Sequence, residues 1–247
     1  MENNDLRFQL IHFDTIDSTN REAADRARNG AAEGVTIVAD EQTAGRGRQG
    51  RSWTSQKGDG AYFSVILRPN VEARRYPLIQ LMSAAAVHDA LLSRWHIESD
   101  IKWPNDIHVG EKKICGILSE MVDTPSSPAV VVGIGINLRN VAPELNATSI
   151  EIESSVPVTR DTLIAEVQKQ LQKLYESFLA NPRALIDAWS QRSSYFAGKE
   201  VTVDLGHDET FMGTTCGLEE NGALRVRLSD GSVRIVQAGD VTRLRKT

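Results

Sequence analysis

The sequence predicts an α+β fold: a β-sheet with flanking helices, followed by a small β-barrel. Three observations carry this expectation. β-branched runs alternate with helical stretches through most of the chain. After Tyr195-Phe196-Ala197-Gly198 the pattern changes to short alternating runs broken by Asn221-Gly222 and Asp230-Gly231, which are hairpin-turn dipeptides. The chain has 247 residues, 40% hydrophobic and 25% charged, enough for one large core and a small second unit. The expected domains are 1–195 and 196–247.

Each element has its own signal. Residues 6–13 read as a strand. Thr19 and Glu22 have capping-box spacing, so a helix starts there and runs through an alanine-rich stretch to Asn29, stopped by Gly30. Residues 35–40 and 61–67 are strand-like, the second ended by Arg68-Pro69-Asn70. Residues 76–97 are apolar on most faces and read as a buried helix. Residues 101–121 read as two strands around Gly110-Glu111-Lys112, the first broken at Pro104-Asn105-Asp106. A loop at 124–128 precedes a buried strand at 129–138 interrupted by Gly133 and Gly135. Leu163, Ile164, Val167, Leu171, Leu174 and Phe178 mark an amphipathic helix ended by Asn181-Pro182, and a second helix covers 184–191. Strands at 200–205, 224–228 and 232–236 build the barrel.

Charge narrows the function. The chain carries a net charge of −5 and a pI near 5.6. Yet residues 45–51 read Gly-Arg-Gly-Arg-Gln-Gly-Arg, and from Gln42 to Lys57 there is no acid. Glycine permits close backbone approach to a ligand, and arginine offers a fixed fork for carboxylate or phosphate. A basic loop on an acidic body favours a small anionic ligand over nucleic acid. The competing reading is a plain solvated loop. Cys115 and Cys216 form no disulfide or zinc pattern, Cys115 reads as a small buried hydrophobe, and the histidines lack ligand spacing, so no metal site is expected. No signal peptide or membrane span is expected, and the cytoplasm is the default compartment.

Three further segments can carry chemistry. Ser18-Thr19-Asn20 at a helix start is either simple capping or a polar socket. Lys102-Trp103-Pro104-Asn105-Asp106, with Lys113 to Gly116, is either an exposed hairpin or one side of a site. In the second case Asn105 and Asp106 can orient a nucleotide or a divalent ion, and Lys113 can point its amine into a pocket. Gly133-x-Gly135-x-Asn137 lacks the third glycine and the following helix of a dinucleotide fingerprint. Glycines in a strand mark close approach, by a ligand or by a neighbouring chain segment.

Together and in this order, Asp17-Ser18-Thr19-Asn20, Gln42, 45–51 with Trp53, 102–106, 113–116 and 133–137 resemble the bacterial biotin–protein ligases. That resemblance implies a mixed sheet of the class II aminoacyl-tRNA-synthetase type and an SH3-like C-terminal barrel. It implies that biotin and ATP are substrates, with Mg²⁺, giving biotinyl-5′-adenylate and pyrophosphate. Biotin then passes to one lysine of a biotin carboxyl carrier protein of acetyl-CoA carboxylase.

Carried over by position, Ser18, Thr19, Asn20, Gln42, Gly45, Arg46, Gly47, Arg48, Lys113, Gly116 and Gly135 match the biotin side. Arg51, Trp53, Lys102, Asn105, Asp106 and Asn137 match the nucleotide side. The resemblance makes Lys113, Arg48 and Asp106 the catalytic candidates, Asp106 as a base for the acceptor lysine. Two departures stand out. The first motif begins by residue 17, so no DNA-binding domain and no repressor activity are expected. Gln49 stands where some members have arginine. A lipoate–protein ligase is the nearest alternative, and a homodimer is left open.

Overall fold

The computed structural model describes residues 6–125, 127–141, 145–206 and 209–243. The ends of both expected domains, Ser126 of the 124–128 loop, and His207 lie outside them. Seven strands form the main sheet: β1 Gln9–Ile16, β2 Val35–Gln42, β3 Gly60–Leu67, β4 Asp100–Lys102, β5 Asp106–Val109, β6 Lys112–Val122 and β7 Ala129–Asn137. Their order is β1-β2-β3-β7-β6-β5-β4. β1 and β2 are parallel and the other neighbours antiparallel, so the sheet is mixed. Helix α1, Thr19–Arg28, supplies the crossover that a parallel pair needs.

Each face of the sheet has its own core. Ala23 and Ala27 of α1 pack with Ile37, Ile66 and Val131. On the opposite face, α2 Pro77–Trp95 and α4 Arg160–Ala180 cover Val38, Phe63 and Val65. Strand side chains alternate between faces, so Ser64, Gly133 and Gly135 share the α1 face with Ile66 and Val131. The candidate motifs collect on that face.

The second unit is a five-stranded antiparallel sheet: β8 Ala197–Asp204, β9 Thr210–Leu218, β10 Leu224–Arg227, β11 Val233–Val236 and β12 Asp240–Arg243. It meets the main unit at the turn before β10. Trp103 Nε1 donates to the Gly222 carbonyl at 3.0 Å. Among the described residues, no helix is long and apolar enough to cross a membrane.

Two expectations need correction, and three elements were not anticipated. The capping box at Thr19 and Glu22 does not form. Ser18 is the N-cap residue, the Thr19 hydroxyl and N–H both donate to Gln42 Oε1, and Glu22 pairs with Arg26. A tertiary partner outcompetes the local one. Residues 101–121 hold parts of three strands, because Pro104-Asn105 ends β4 and β5 starts anew at Asp106. Strands β9 and β12 carried no clear signal. In β9, Gly213 and Gly217 dilute the β-branched signature, and Gly213 leaves room for the Arg227 carbonyl. The short helices α3 Ile150–Glu153 and α5 Ala184–Ser190 complete the chain, α3 unforeseen for lack of periodicity at four residues.

Gly222 has φ +85°, and a Cβ there would stand 2.9 Å from Leu81 Cδ1. Gly222→Ala is therefore expected to cost about 1–3 kcal/mol in urea unfolding, from left-handed strain and overpacking. An unchanged midpoint would show that this junction is not tightly packed.

Candidate active site

The floor of the site is a patch of bare strand. Gly116 on β6 pairs with Gly135 on β7, and Gly133 pairs with Ser64 on β3. A Cβ on Gly133 would fall 2.0 Å from Asn20 Oδ1. One on Gly135 would fall 2.6 Å from the Trp53 ring, and one on Gly116 2.7 Å from it. The glycines thus admit two side chains to the strand surface. Trp53 Nε1 is buried there with no hydrogen-bond partner among the described residues.

A polar network rises from this floor. Ser64 Oγ lies 2.6 Å from Asn20 Oδ1 and 2.8 Å from Thr19 Oγ1. Asn20 Nδ2 donates to Glu120 Oε2 at 2.8 Å and to the Leu118 carbonyl at 3.2 Å. Gln42 accepts from Thr19 and donates through Nε2 to Ser55 Oγ at 2.8 Å. Thr19, Asn20 and Ser64 are all buried, so their partners are obligatory.

The arginine run folds back over the floor. Gly47 N–H donates to the Arg51 carbonyl and Trp53 N–H to the Gly45 carbonyl, at 2.7 and 2.9 Å. A Cβ on Gly45 would stand 2.4 Å from the Trp53 carbonyl, so that glycine is sterically required. Arg46 is ion-paired with Glu120. Arg48, with only 14% of its side chain exposed, reaches Asn105 Oδ1 at 3.3 Å, the Gly239 carbonyl at 3.2 Å and Asp240 at 3.7 Å. Arg51 pairs with Asp240 at 2.9 Å.

Behind the loop, Lys113 Nζ is 2.7 Å from Asp106 Oδ1 and 5.2 Å from the Trp53 ring centroid. Lys102 pairs with Asp106 in register across β4 and β5. Burial lowers the Lys102 ammonium, with Asp106 opposing and Lys113 reinforcing the shift. Burial also lowers Arg48, against Asp240 and Asp106. The site therefore concentrates cations whose charge is incompletely matched by carboxylates, an arrangement suited to anions. Cys115 lies buried beneath it with its thiol pushed up by burial, so it is no nucleophile.

Two cavities meet here. One, of about 120 Å³, is lined by Ser18, Thr19, Asn20, Gln42, Arg46, Gly47, Arg48, Arg51, Trp53, Asn105, Asp106, Lys113, Gly116 and Gly135. The other, of about 540 Å³, is lined by Trp53, Gln56, Asp59, Tyr62, Lys113, Asn137, Asn140 and Asn146, among others. Lys113 and Trp53 line both. Asn137 Nδ2 donates to the Thr148 carbonyl at 2.9 Å, which leaves its carbonyl oxygen for a ligand. Of the residues expected on the nucleotide side, Trp53 and Asn137 line the larger cavity, while Arg51, Asn105 and Asp106 line the smaller. Lys102 lines neither and stands opposite Asp106 in the sheet. Sequence reasoning missed Ser64, Ser55, Glu120 and Asp240, whose residue types carry no signal without their long-range partners.

Comparison with known proteins gives the family. Residues 12–137 match the model of the biotin/lipoate A/B protein ligase family, and residues 196–243 match that of the biotin protein ligase C-terminal domain. A bifunctional ligase/repressor BirA of Bacillus spizizenii is 34% identical over 236 residues, covering 93% of this chain and 72% of the relative. The chain belongs to the biotin/lipoate A/B protein ligase family. A biotin–[acetyl-CoA-carboxylase] ligase of Paracoccus denitrificans is 32% identical, covering 91% of this chain and 96% of its own length. The biotin protein ligase of Aquifex aeolicus, solved in complex with biotin and ATP, superposes with a TM-score of 0.82 at 29% identity. That superposition covers 96% of this chain and 99% of the other. The family assignment accounts for the motif order, and the mixed sheet with its C-terminal antiparallel sheet is the fold that the sequence led one to expect.

Two outcomes follow from this geometry. Gly133→Ala is expected to cost about 1–3 kcal/mol of stability in denaturant titration, because Asn20 is held on its other sides and cannot retreat. His108 lies on the same sheet face as Asp106 and opposite Lys113 in register, with Nδ1 3.3 Å from the Glu111 carbonyl. Burial first, then Lys102, holds its imidazolium below the ordinary 6.5; Asp106 opposes this shift and Lys113 adds to it. The folded state thus binds the proton less well than the unfolded one. The associated stability is complete above about pH 6.5 and is lost as pH falls toward the lowered value. Urea melts of His108→Gln should show a shallower loss between pH 7 and 5.5 than the parent; equal slopes would assign the loss elsewhere, such as His88, also lowered by burial.

Proposed function

We propose that this chain is an ATP-dependent biotin–protein ligase. It joins biotin and ATP to give biotinyl-5′-adenylate and pyrophosphate, then transfers biotin to a lysine of a biotin carboxyl carrier protein of acetyl-CoA carboxylase. The observation that carries this reading is the placement of Lys113 on the shared wall of two cavities, with the arginine loop closing one of them.

In the first step a carboxylate oxygen of biotin attacks the α-phosphorus and pyrophosphate leaves. Two anions must meet, and their repulsion dominates the barrier. Biotin takes the smaller cavity, lined by Ser18, Thr19, Asn20, Gln42, Arg46 and Gly47 over the glycine floor. ATP places its base in the larger cavity against Trp53 and Asn137. Lys113 and Arg48 then lie where both anions converge, and positive groups fixed at developing charge lower the barrier most. Arg51 and Lys102 serve the departing phosphates. Folded over the cavity, the loop shields the mixed anhydride from water.

In the second step the acceptor lysine's neutral amine attacks the anhydride carbonyl, and AMP leaves. Asp106, 2.7 Å from Lys113, is the base assigned to that amine. Mg²⁺ enters with ATP as part of the substrate. Asn105 and Asp106 fit it only weakly, since Arg48 and Lys113 already engage their oxygens. Phosphate oxygens and water are thus its main ligands, as is usual for this ion. Residues 1–195 form the catalytic unit and 196–247 the smaller one, and the enzyme works in the cytoplasm.

The test is mass spectrometry of a carrier domain incubated with the protein, biotin and MgATP. A gain of one biotin is expected, and none when lipoate replaces biotin. No gain with a competent carrier would sink the reading, and a gain from lipoate alone would favour the lipoate branch of the family. Lys113→Ala should lower adenylate formation by about 100-fold or more, read as pyrophosphate release. Asp106→Ala should slow carrier transfer more than adenylate formation; equal retention of both steps would remove Asp106 as the base.

A further inference from the structure

We propose that Glu120 is a positioning residue that couples the floor of the smaller cavity to the arginine loop; this rests on the biotin-ligase reading. Glu120 lies on β6 at two-residue spacing from Leu118 and Gly116, which line that cavity. Its two carboxylate oxygens serve different partners. Oε1 pairs with the guanidinium of Arg46 on the loop, and Oε2 accepts from Asn20 Nδ2 at 2.8 Å.

The Asn20 contact has a chemical consequence. Both Nδ2 hydrogens are committed, one to Glu120 and one to the Leu118 carbonyl. A carboxylate and a carbonyl can only accept, so together they fix which way the amide faces. Oδ1 already accepts from Ser64 Oγ at 2.6 Å, in the space that Gly133 leaves over β7. Asn20 can then meet a ligand only through the remaining lone pair of Oδ1, as an acceptor for an N–H donor. Biotin's ureido group carries such donors. Glu120 therefore holds Asn20 in the polarity the ligand needs.

Magnitudes separate its two contacts. Arg46 is 42% exposed and Glu120 28%, so their ion pair is a solvated one of small net worth. Asn20 is buried at 4% exposure, and losing an ionised acceptor leaves a buried donor unpaired, which is the larger cost. The substitution Glu120→Gln keeps an acceptor for Asn20 and drops the charge facing Arg46. Glu120→Ala removes both.

The experiment measures KM for biotin, KM for ATP and escape of the adenylate into solution, with melting temperatures alongside. Glu120→Ala should raise the biotin KM by about tenfold and leave the ATP KM within about twofold. Glu120→Gln should keep the biotin KM within about threefold while the adenylate escapes a few-fold faster. The proposal is overturned if Glu120→Ala binds biotin as the parent does, if Glu120→Gln loses biotin as severely as Glu120→Ala, or if both KM values rise together. Should Glu120→Ala not fold, Glu120→Gln decides alone on its biotin KM and adenylate escape. A parent protein that biotinylates the carrier while the variants match it sinks this proposal only. A parent that takes up no biotin sinks the functional reading, and this one with it.

Discussion

Everything in the site depends on three missing Cβ atoms. Gly116, Gly133 and Gly135 strip the centre of the sheet to its backbone, and Asn20 and Trp53 lie in the space so made. Any side chain there would force both to shift, judged by Cβ contacts of 2.0 to 2.7 Å. The consequences spread outward. Asn20 reaches Glu120 and Ser64 only because it lies flat on β7, and Trp53 separates two cavities only because it lies on β6 and β7. A strand interior usually pays for glycine in stability. Here the compensation is a concave surface in the middle of the sheet, where a ligand can be held by groups anchored on paired strands.

Charge is organised by the same scaffold. Lys102, Asp106 and Lys113 stand on adjacent strands in fixed register, while the arginines come in on a loop. The strand cations are thus preorganised and the loop cations adjustable. Asp240 faces both sets from outside, since it pairs with Arg48 and Arg51 on the loop, its charge opposes the lowering of Lys102, and it belongs to β12 of the smaller unit. The small sheet therefore supplies charge to the site as well as a packing surface, through Asp240 at one end and the Gly222–Trp103 hydrogen bond at the other.

The sequence revealed the local signals and concealed those that depend on distance in the chain. The arginine-glycine run, Lys102 to Asp106 and the glycines of β7 were legible because unusual residue types crowd together there. The long helices and most strands were legible from periodicity. Thr19 and Glu22 misled, because capping-box spacing says nothing of Gln42, which sits 23 residues away and takes the Thr19 hydroxyl instead. Glu120 and Asp240 were illegible for the same reason. Each is an ordinary acid until the fold brings an arginine to it across 74 and 189 residues respectively.

The attachment of Lys113 ties two parts of the site together. Its N–H donates to the Asn146 carbonyl and its own carbonyl accepts from the Thr148 N–H, at 3.0 and 2.9 Å. Asn146 also lines the larger cavity. The wall of the larger cavity and the residue whose amine faces both cavities are thus one stitched piece of backbone. A shift of that wall carries the Lys113 ammonium with it, away from Asp106 and the Trp53 ring.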